Sequence, residues 1–418
     1  KKNILHHGIR LLSPAAEPGA FALATRLGGL VIIDSQGRLK EIFTKAYGLQ
    51  DDNVKVVFED STGNLWLALD RGISKIEYVS QLSIYDDRTN LSGNVQTVIR
   101  HNKGLYAGTT RGLFFLASPH RFRPAAGILS NCWSLLSIED SLLAATSDGV
   151  FQVGNKNKNN IKLIDYPSYV LLQSHKDKKR IWVGTREGLV SLYLHSQDKN
   201  GHWAEEHKFE DITQEIRTIV EDKKGNLWLG IQTEGVLKVD FPGSGTIINY
   251  KVTQYDASNG LPPSQEVKVF RTADHVMFAT EKGIYRFIEG KERFIPDTAL
   301  GNEFAGGENG RGVFRIVEEK KKNIWLHSLS RNFQAIHQPD GTFDLYKKPF
   351  LRLPDAQVNA IYPDPVEDTV WFASNDGLIR YDTTVKKKYD YDFPTLIRRV
   401  WVNGNLVFDG YKLDNDPQ

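Results

Sequence analysis

Short apolar runs alternate with polar turns along almost the whole chain, and the alternation itself repeats. Each unit opens on an apolar run, as in Val54-Lys-Val-Val-Phe, Val95-Gln-Thr-Val-Ile, Ile216-Arg-Thr-Ile-Val and Val358-Asn-Ala-Ile-Tyr. A polar turn follows, such as Glu-Asp-Ser-Thr-Gly-Asn at 59–64 or Glu-Asp-Lys-Lys-Gly-Asn at 221–226. Then come a run centred on tryptophan, a glycine turn and a further run. The tryptophan run and its turn are fullest at 225–236, and recur at 63–73, 180–189, 323–333 and 369–378. Looser copies stand at 104–113, 141–150, 275–284 and 21–30, nine in all. The turn slot holds Gly29, Gly72, Gly112, Gly149, Gly188, Gly235, Gly283, Asn332 and Gly377, spaced 37 to 49 residues apart. Runs of four to six β-branched and aromatic residues between Gly, Asn and Asp are strands, with no room for helices. Four short strands in each unit of about forty residues predict an all-β chain folded as a β-propeller.

The repeat reassigns several tempting residues. Trp66, Trp182, Trp228, Trp325 and Trp371 share one slot, which Tyr106, Leu143 and Met277 fill in looser units. A slot this periodic predicts an anchor between neighbouring blades rather than a sugar-stacking platform. Two places on, Ala68, Gly108, Ala145, Gly184, Gly230, Ala279 and Ala373 are small, as a crowded inner strand requires. Glu59-Asp60 and Glu221-Asp222 recur at one position and are read as caps of the following turn. The last seven units suit one closed seven-bladed ring, with a single larger ring as the alternative. The expected division is therefore two blades of a preceding propeller in 1–86 and a seven-bladed propeller in 87–388. Residues 389–418 are expected to open a β-sandwich domain, because 395–408 reads as a hairpin around Asn403-Gly404.

Composition narrows function mainly by exclusion. With 53 basic and 51 acidic residues, nothing points to nucleic acid or an anionic membrane surface. No apolar stretch reaches the roughly 18 residues a spanning helix needs, so membrane attachment is expected only through segments outside this sequence. Cys132 is the single cysteine, which rules out a disulfide framework. No nucleophile elbow, P-loop or dinucleotide fingerprint is present, and His6-His7 is poorly spaced for a shared metal. No catalytic residue, metal or cofactor is expected. The bet falls instead on the part of the unit that varies, the polar turn after the second strand. The candidate ligand contacts there are Arg71, Arg111, Asp148, Arg186, Glu187, Glu234, Lys282, Arg331 and Asp376. The long loops at 255–265 and 299–311 overhang the same face and add Phe304, with Trp133 as a further aromatic. Polar turns are equally ordinary surface features.

The unit at 216–240, an apolar strand, Glu-Asp, Gly-Asn-Leu-Trp-Leu-Gly and a Gly-Val turn, resembles the two-component regulator propeller repeat. Gly48-Leu49 with Asn53, and Asn259-Gly-Leu-Pro262, resemble the entry loop of that repeat. The Arg-Arg-Val-Trp-Val-Asn-Gly stretch at 398–404 resembles the start of the three-tyrosine domain that follows such propellers. The resemblance implies a periplasmic sensor region of a hybrid two-component system, in which paired propellers bind an oligosaccharide. A β-sandwich then passes the signal through a membrane helix to a histidine kinase, and the full-length receptor is a homodimer. Two other readings stay open: a scaffold that docks a protein partner on its rim, and a propeller lyase or glycoside-active enzyme.

Overall fold

The architecture follows from strands too short to bury a face alone. A computed structural model describes residues 19–60, 62–78, 80–118, 121–125, 127–154, 159–195, 202–233, 235–242, 247–263, 266–273, 275–353, 355–385, 387, 389 and 397–409, with the backbone alone at 9–14. Seven four-stranded antiparallel sheets stand as blades in a closed ring. Their first strands are Val95–His101, Cys132–Ile138, Ser168–Gln173, Ile216–Glu221, Lys268–Arg271, Arg315–Glu318 and Val358–Pro363, for blades one to seven. Each of these inner strands touches the inner strand of the next blade, and that of blade seven touches that of blade one. Side-chain hydroxyls stitch some of these junctions: Ser134 accepts from the Leu171 amide and Thr218 from the Val269 amide.

Closure uses a strand from the other end of the ring. Leu82–Tyr85 precedes blade one in the chain, yet it pairs with Gly377–Asp382 as the outermost strand of blade seven. The expected division after residue 86 therefore falls one strand late. Ahead of the ring lie a four-stranded sheet from Ile9–Pro14 to Leu39–Phe43 and a three-stranded sheet, Val54–Glu59, Leu65–Leu69 and Ile73–Ile76. These two sheets share a core built on Leu30, Ile32, Val54, Val57, Leu65 and Leu67. Residues 386–418 form a separate unit, whose described part is the hairpin Arg399–Val402 and Asn405–Asp409. Its turn residues Asn403 and Gly404 both have positive φ, 50° and 82°, as a two-residue hairpin turn demands.

The tryptophan slot does bridge blades. Trp182 packs among blade-four residues such as Ile219 and Leu229, and Trp371 among Leu105, Phe114 and Phe122 of blade one. The four tryptophans that fill this slot in the ring, Trp182, Trp228, Trp325 and Trp371, are at most 3% exposed. Burying each ring removes roughly 200 Å² of apolar surface, an upper bound of about 5 kcal/mol. Trp66, outside the ring, is 40% exposed. The small residues lie on the second strand rather than the innermost one. A Cβ on Gly184 would stand 2.6 Å from Val170 Cγ1 and 2.7 Å from Ile216 Cγ2, the latter on the next blade. The recurring acid both caps its turn and holds the indole. Asp60 accepts from the Thr62 and Asn64 amides and from Trp66 Nε1.

Candidate ligand site at the channel mouth

The face that carries the second-strand turns is also where the inner strands begin. Turn amides at Thr110, Ser147, Arg186, Gln232 and Asn375 donate to carbonyls of Asn94, Asn131, Pro167, Glu215 and Gln357, each just ahead of an inner strand. One step into that strand, the register slips. In blades one, two, three, four and seven an extra residue is inserted between the first and third positions: Gln96, Trp133, Tyr169, Arg217 and Asn359. A bulge of this kind re-aims the extra side chain out of the sheet. All five line one cavity of about 340 Å³ at the mouth of the channel.

Blades five and six have no such slip among their paired residues, and they present Lys268 and Arg315 instead. Gln232 joins them because the blade-four turn is one residue longer: Gly230 pairs with Val236, whereas Gly184 pairs with Leu189. Thr218, Glu266 and Gln357 complete the lining.

The mouth is an ordered polar and aromatic surface. Trp133 and Tyr169 meet edge to face, with ring centroids 4.5 Å apart and 61° between planes. The Arg217 guanidinium lies 3.8 Å from the Tyr169 ring centroid, a close cation–π stack. Glu215 fixes both partners, pairing with Arg217 and accepting from Tyr169 Oη at 3.4 Å. Lys268 Nζ pairs with Glu266 at 3.0 Å. Burial first, and then the neighbouring Arg315 charge, lower the Lys268 pKa. Asn359 Nδ2 donates to the Val95 carbonyl at 2.8 Å and to Asn375 Oδ1 at 2.9 Å. Behind Arg315, His327 is fully buried; its Nε2 accepts from the Val358 amide, so Nδ1 carries the proton and donates to Asn332. Burial pushes its pKa down to about 4, aided by the Arg315 and Lys268 charges.

Of the residues expected to meet a ligand, Trp133 reaches this cavity. Arg111, Asp148, Glu187 and Lys282 sit on turns tied from beneath by a buried threonine. Thr109, Thr146, Thr185 and Thr280 each donate to the turn glycine carbonyl and accept from those four amides. Arg186 and Glu187 border a separate depression beside Lys208, which pairs with Glu187 at 3.3 Å. Asp376 lies on the blade-seven turn, exposed and away from the lining of the mouth. Arg71 belongs to the three-stranded sheet outside the ring. Arg331, opposite Ser328, takes the turn position read as Asn332, and positive φ passes to Leu329 at 54°. Glu234 lies outside the described residues. Phe304 is corrected outright. It is fully buried against Phe333, and its loop is stitched to the blade-five turn by the Ile284, Gly306 and Gly307 amides. Apart from Trp133, the bulged second residues of the inner strands were missed, although their variation from Gln to Tyr, Arg and Asn stands in the sequence.

A family model described as "Two component regulator propeller" matches residues 212–232, which run through the first two strands of blade four and include Arg217 and Gln232. No curated protein matches the chain. Among solved structures, the extracellular domain of the putative hybrid two component system BT3049 from B. thetaiotaomicron superposes with a TM-score of 0.65 at 19% identity, over 90% of this chain and 51% of that one. The extracellular domain of BT4673 from the same organism gives 0.58 at 17% identity, over 98% of this chain and 57% of that one. A virginiamycin B lyase from Staphylococcus aureus gives 0.50 at 12% identity, over 72% of this chain and 97% of that one. The chain thus spans about half the length of the two extracellular domains, and at these identities the likeness is one of fold. With the repeat units and the ring they build, the chain is a β-propeller protein, and its blade-four unit matches the two-component regulator propeller repeat.

Proposed function

We propose that this chain is the extracytoplasmic ligand-sensing region of a two-component signalling protein, and that it binds an oligosaccharide at the channel mouth. The observation that carries the reading is the Trp133–Tyr169–Arg217 ladder, set by three successive bulges and facing Gln96, Gln232, Gln357 and Asn359. Aromatic faces take the apolar faces of a sugar ring, and side-chain amides take its hydroxyls. Seven inner strands converge there, so one ligand can touch several blades and bias how they pack. In this reading the signal leaves through segments outside this sequence to a kinase, and the full-length receptor is a homodimer. The sheets of residues 9–76 belong to a second propeller, and residues 389–418 open a β-sandwich.

Titration calorimetry against a panel of neutral and acidic oligosaccharides tests the site, with product analysis in the same samples. Saturable binding that Trp133→Ala and Tyr169→Ala each weaken supports the reading. Binding untouched by either change would move the ligand elsewhere, and turnover of the saccharide would replace sensing by catalysis.

A further inference from the structure

Among the described residues, Arg315 is the cation at the mouth that no carboxylate pairs with directly; Glu266 acts on it only at longer range. Arg217 is held by Glu215 and Lys268 by Glu266. Among the described residues, no carboxylate oxygen lies within 4.0 Å of the Arg315 guanidinium. Its Nε donates to the Asn359 carbonyl and its Nη1 to the Phe314 carbonyl at 2.7 Å. Both are neutral acceptors. Nη2 makes no protein hydrogen bond among the described residues and stays open to the cavity that Arg315 lines.

A guanidinium set among protein atoms without a directly paired carboxylate is costly, and the Lys268 charge beside it raises that cost. Lys268 beside it sets two cations in one corner of the mouth, and the buried His327 behind them is neutral and supplies no counter-charge. Among the residues that line the cavity, Arg217, Lys268 and Arg315 face one carboxylate, Glu266, while Glu215 and Glu281 act from outside the lining. The two backbone acceptors fix the plane of the guanidinium, so its remaining edge is pre-aimed rather than floppy.

We propose that the ligand of this site is an acidic saccharide, whose carboxylate docks on Arg315 while a sugar ring lies against Trp133 and Tyr169. The inference rests on the channel-mouth reading above and adds the charge of the ligand. A planar carboxylate suits the open edge of a guanidinium in a site partly shielded from water, where a charge-assisted hydrogen bond is strongest.

The test is calorimetry with uronate oligosaccharides (galacturonate, glucuronate and mannuronate series) and their methyl esters, which keep the sugar and remove the charge. For the wild-type protein the acid should bind about tenfold or more tightly than its ester, with the advantage shrinking as sodium chloride is raised. Arg315→Gln should bring the ratio close to one while leaving the affinity for the ester, and Arg315→Lys should keep part of it. Thermal melts establish that each variant is folded. Should Arg315→Gln fail to fold, the wild-type acid-to-ester ratio and its salt dependence decide. Acid and ester binding alike, both lost in Trp133→Ala, would overturn the charge inference and leave the site standing. A preference that survives Arg315→Gln would overturn the role of Arg315. No binding by any member of either series would overturn both.

Discussion

Arg100 and Asp364 stand 264 residues apart in the chain and form a 2.5 Å ion pair where blade seven meets blade one. Arg100 Nε also donates to both carboxylate oxygens, and its amide donates to Tyr362 Oη at 3.2 Å. On the other side, Trp371 Nε1 donates to the same carboxylate at 3.2 Å, and the Val366 and Glu367 amides complete its shell. The acid that elsewhere caps one turn here also locks the ring, with its side chain 0% exposed.

Asp364→Asn should therefore cost up to about 3 kcal/mol, because it leaves a largely buried guanidinium with only the half-exposed Glu367 as its partner. Denaturant unfolding reads this directly, and an unchanged midpoint would show that closure does not depend on this ion pair. Arg100 holds the Asp364 carboxyl below the usual carboxylate range. The pair then stabilises the fold fully above the unfolded-state pKa near 4, and loses that contribution as acid passes through the lower folded value.

His327 titrates with the opposite charge but the same sign of slope. Folded, its pKa is about 4 against an ordinary 6.5, so between those values the unfolded chain binds the extra proton. Stability should fall by about 3 kcal/mol from this group as pH drops through that window, and be fully present above it. The His327→Gln protein should lack this part of the slope. Parallel stability-against-pH curves for the two proteins would contradict the assignment of a neutral, buried imidazole.

The junction between blades three and four has no room for one more carbon. Gly184→Ala places a Cβ 2.7 Å from Ile216 Cγ2 and 3.0 Å from the Ile216 carbonyl, so the blades must part or shift. A loss of about 1–3 kcal/mol is expected, read by chemical denaturation. The same change at Gly37, with nothing within 4 Å, is strained only by its φ of 73°. It should not loosen the ring.

How far the fold was legible depended on what repeats. Tryptophan and glycine recur because each blade must bury the same face and make the same tight turn, so the propeller can be read directly. Leu82-Ser-Ile-Tyr85 could not be assigned the same way. As sequence it is an ordinary fourth strand of the unit before it, and only closure sends it to blade seven. The site hid for a related reason. Variation is most conspicuous beside each turn glycine, whereas the cavity is lined one strand inward. The frame there is an apolar or small residue, a variable one, a small one, then an apolar one, as in Cys132-Trp-Ser-Leu and Ile216-Arg-Thr-Ile. Which side of the strand the variable residue faces depends on a bulge, and a bulge is a register, invisible until pairing partners are known. Phe304 is buried for the plainer reason that a loop rich in glycine can fold down between neighbouring blades, here five and six.

Stacking at the mouth should be additive only in part, because Tyr169 is sandwiched between Trp133 and Arg217. Tyr169→Ala is expected to weaken saccharide binding by more than Trp133→Ala does, since it also frees Arg217 from its stack. Calorimetry on the two single variants and the double variant checks this; strictly additive losses would mean the ladder does not act as a unit.

The central claim is that the inner-strand bulges build a saccharide site at the channel mouth. A crystal structure of the protein with a bound oligosaccharide tests it most directly. A sugar ring against Trp133 and Tyr169, with polar contacts to Arg217 and the surrounding amides, is the predicted result. Ligand density on the outer turns around Arg111 and Arg186, with the mouth left to solvent, would contradict it.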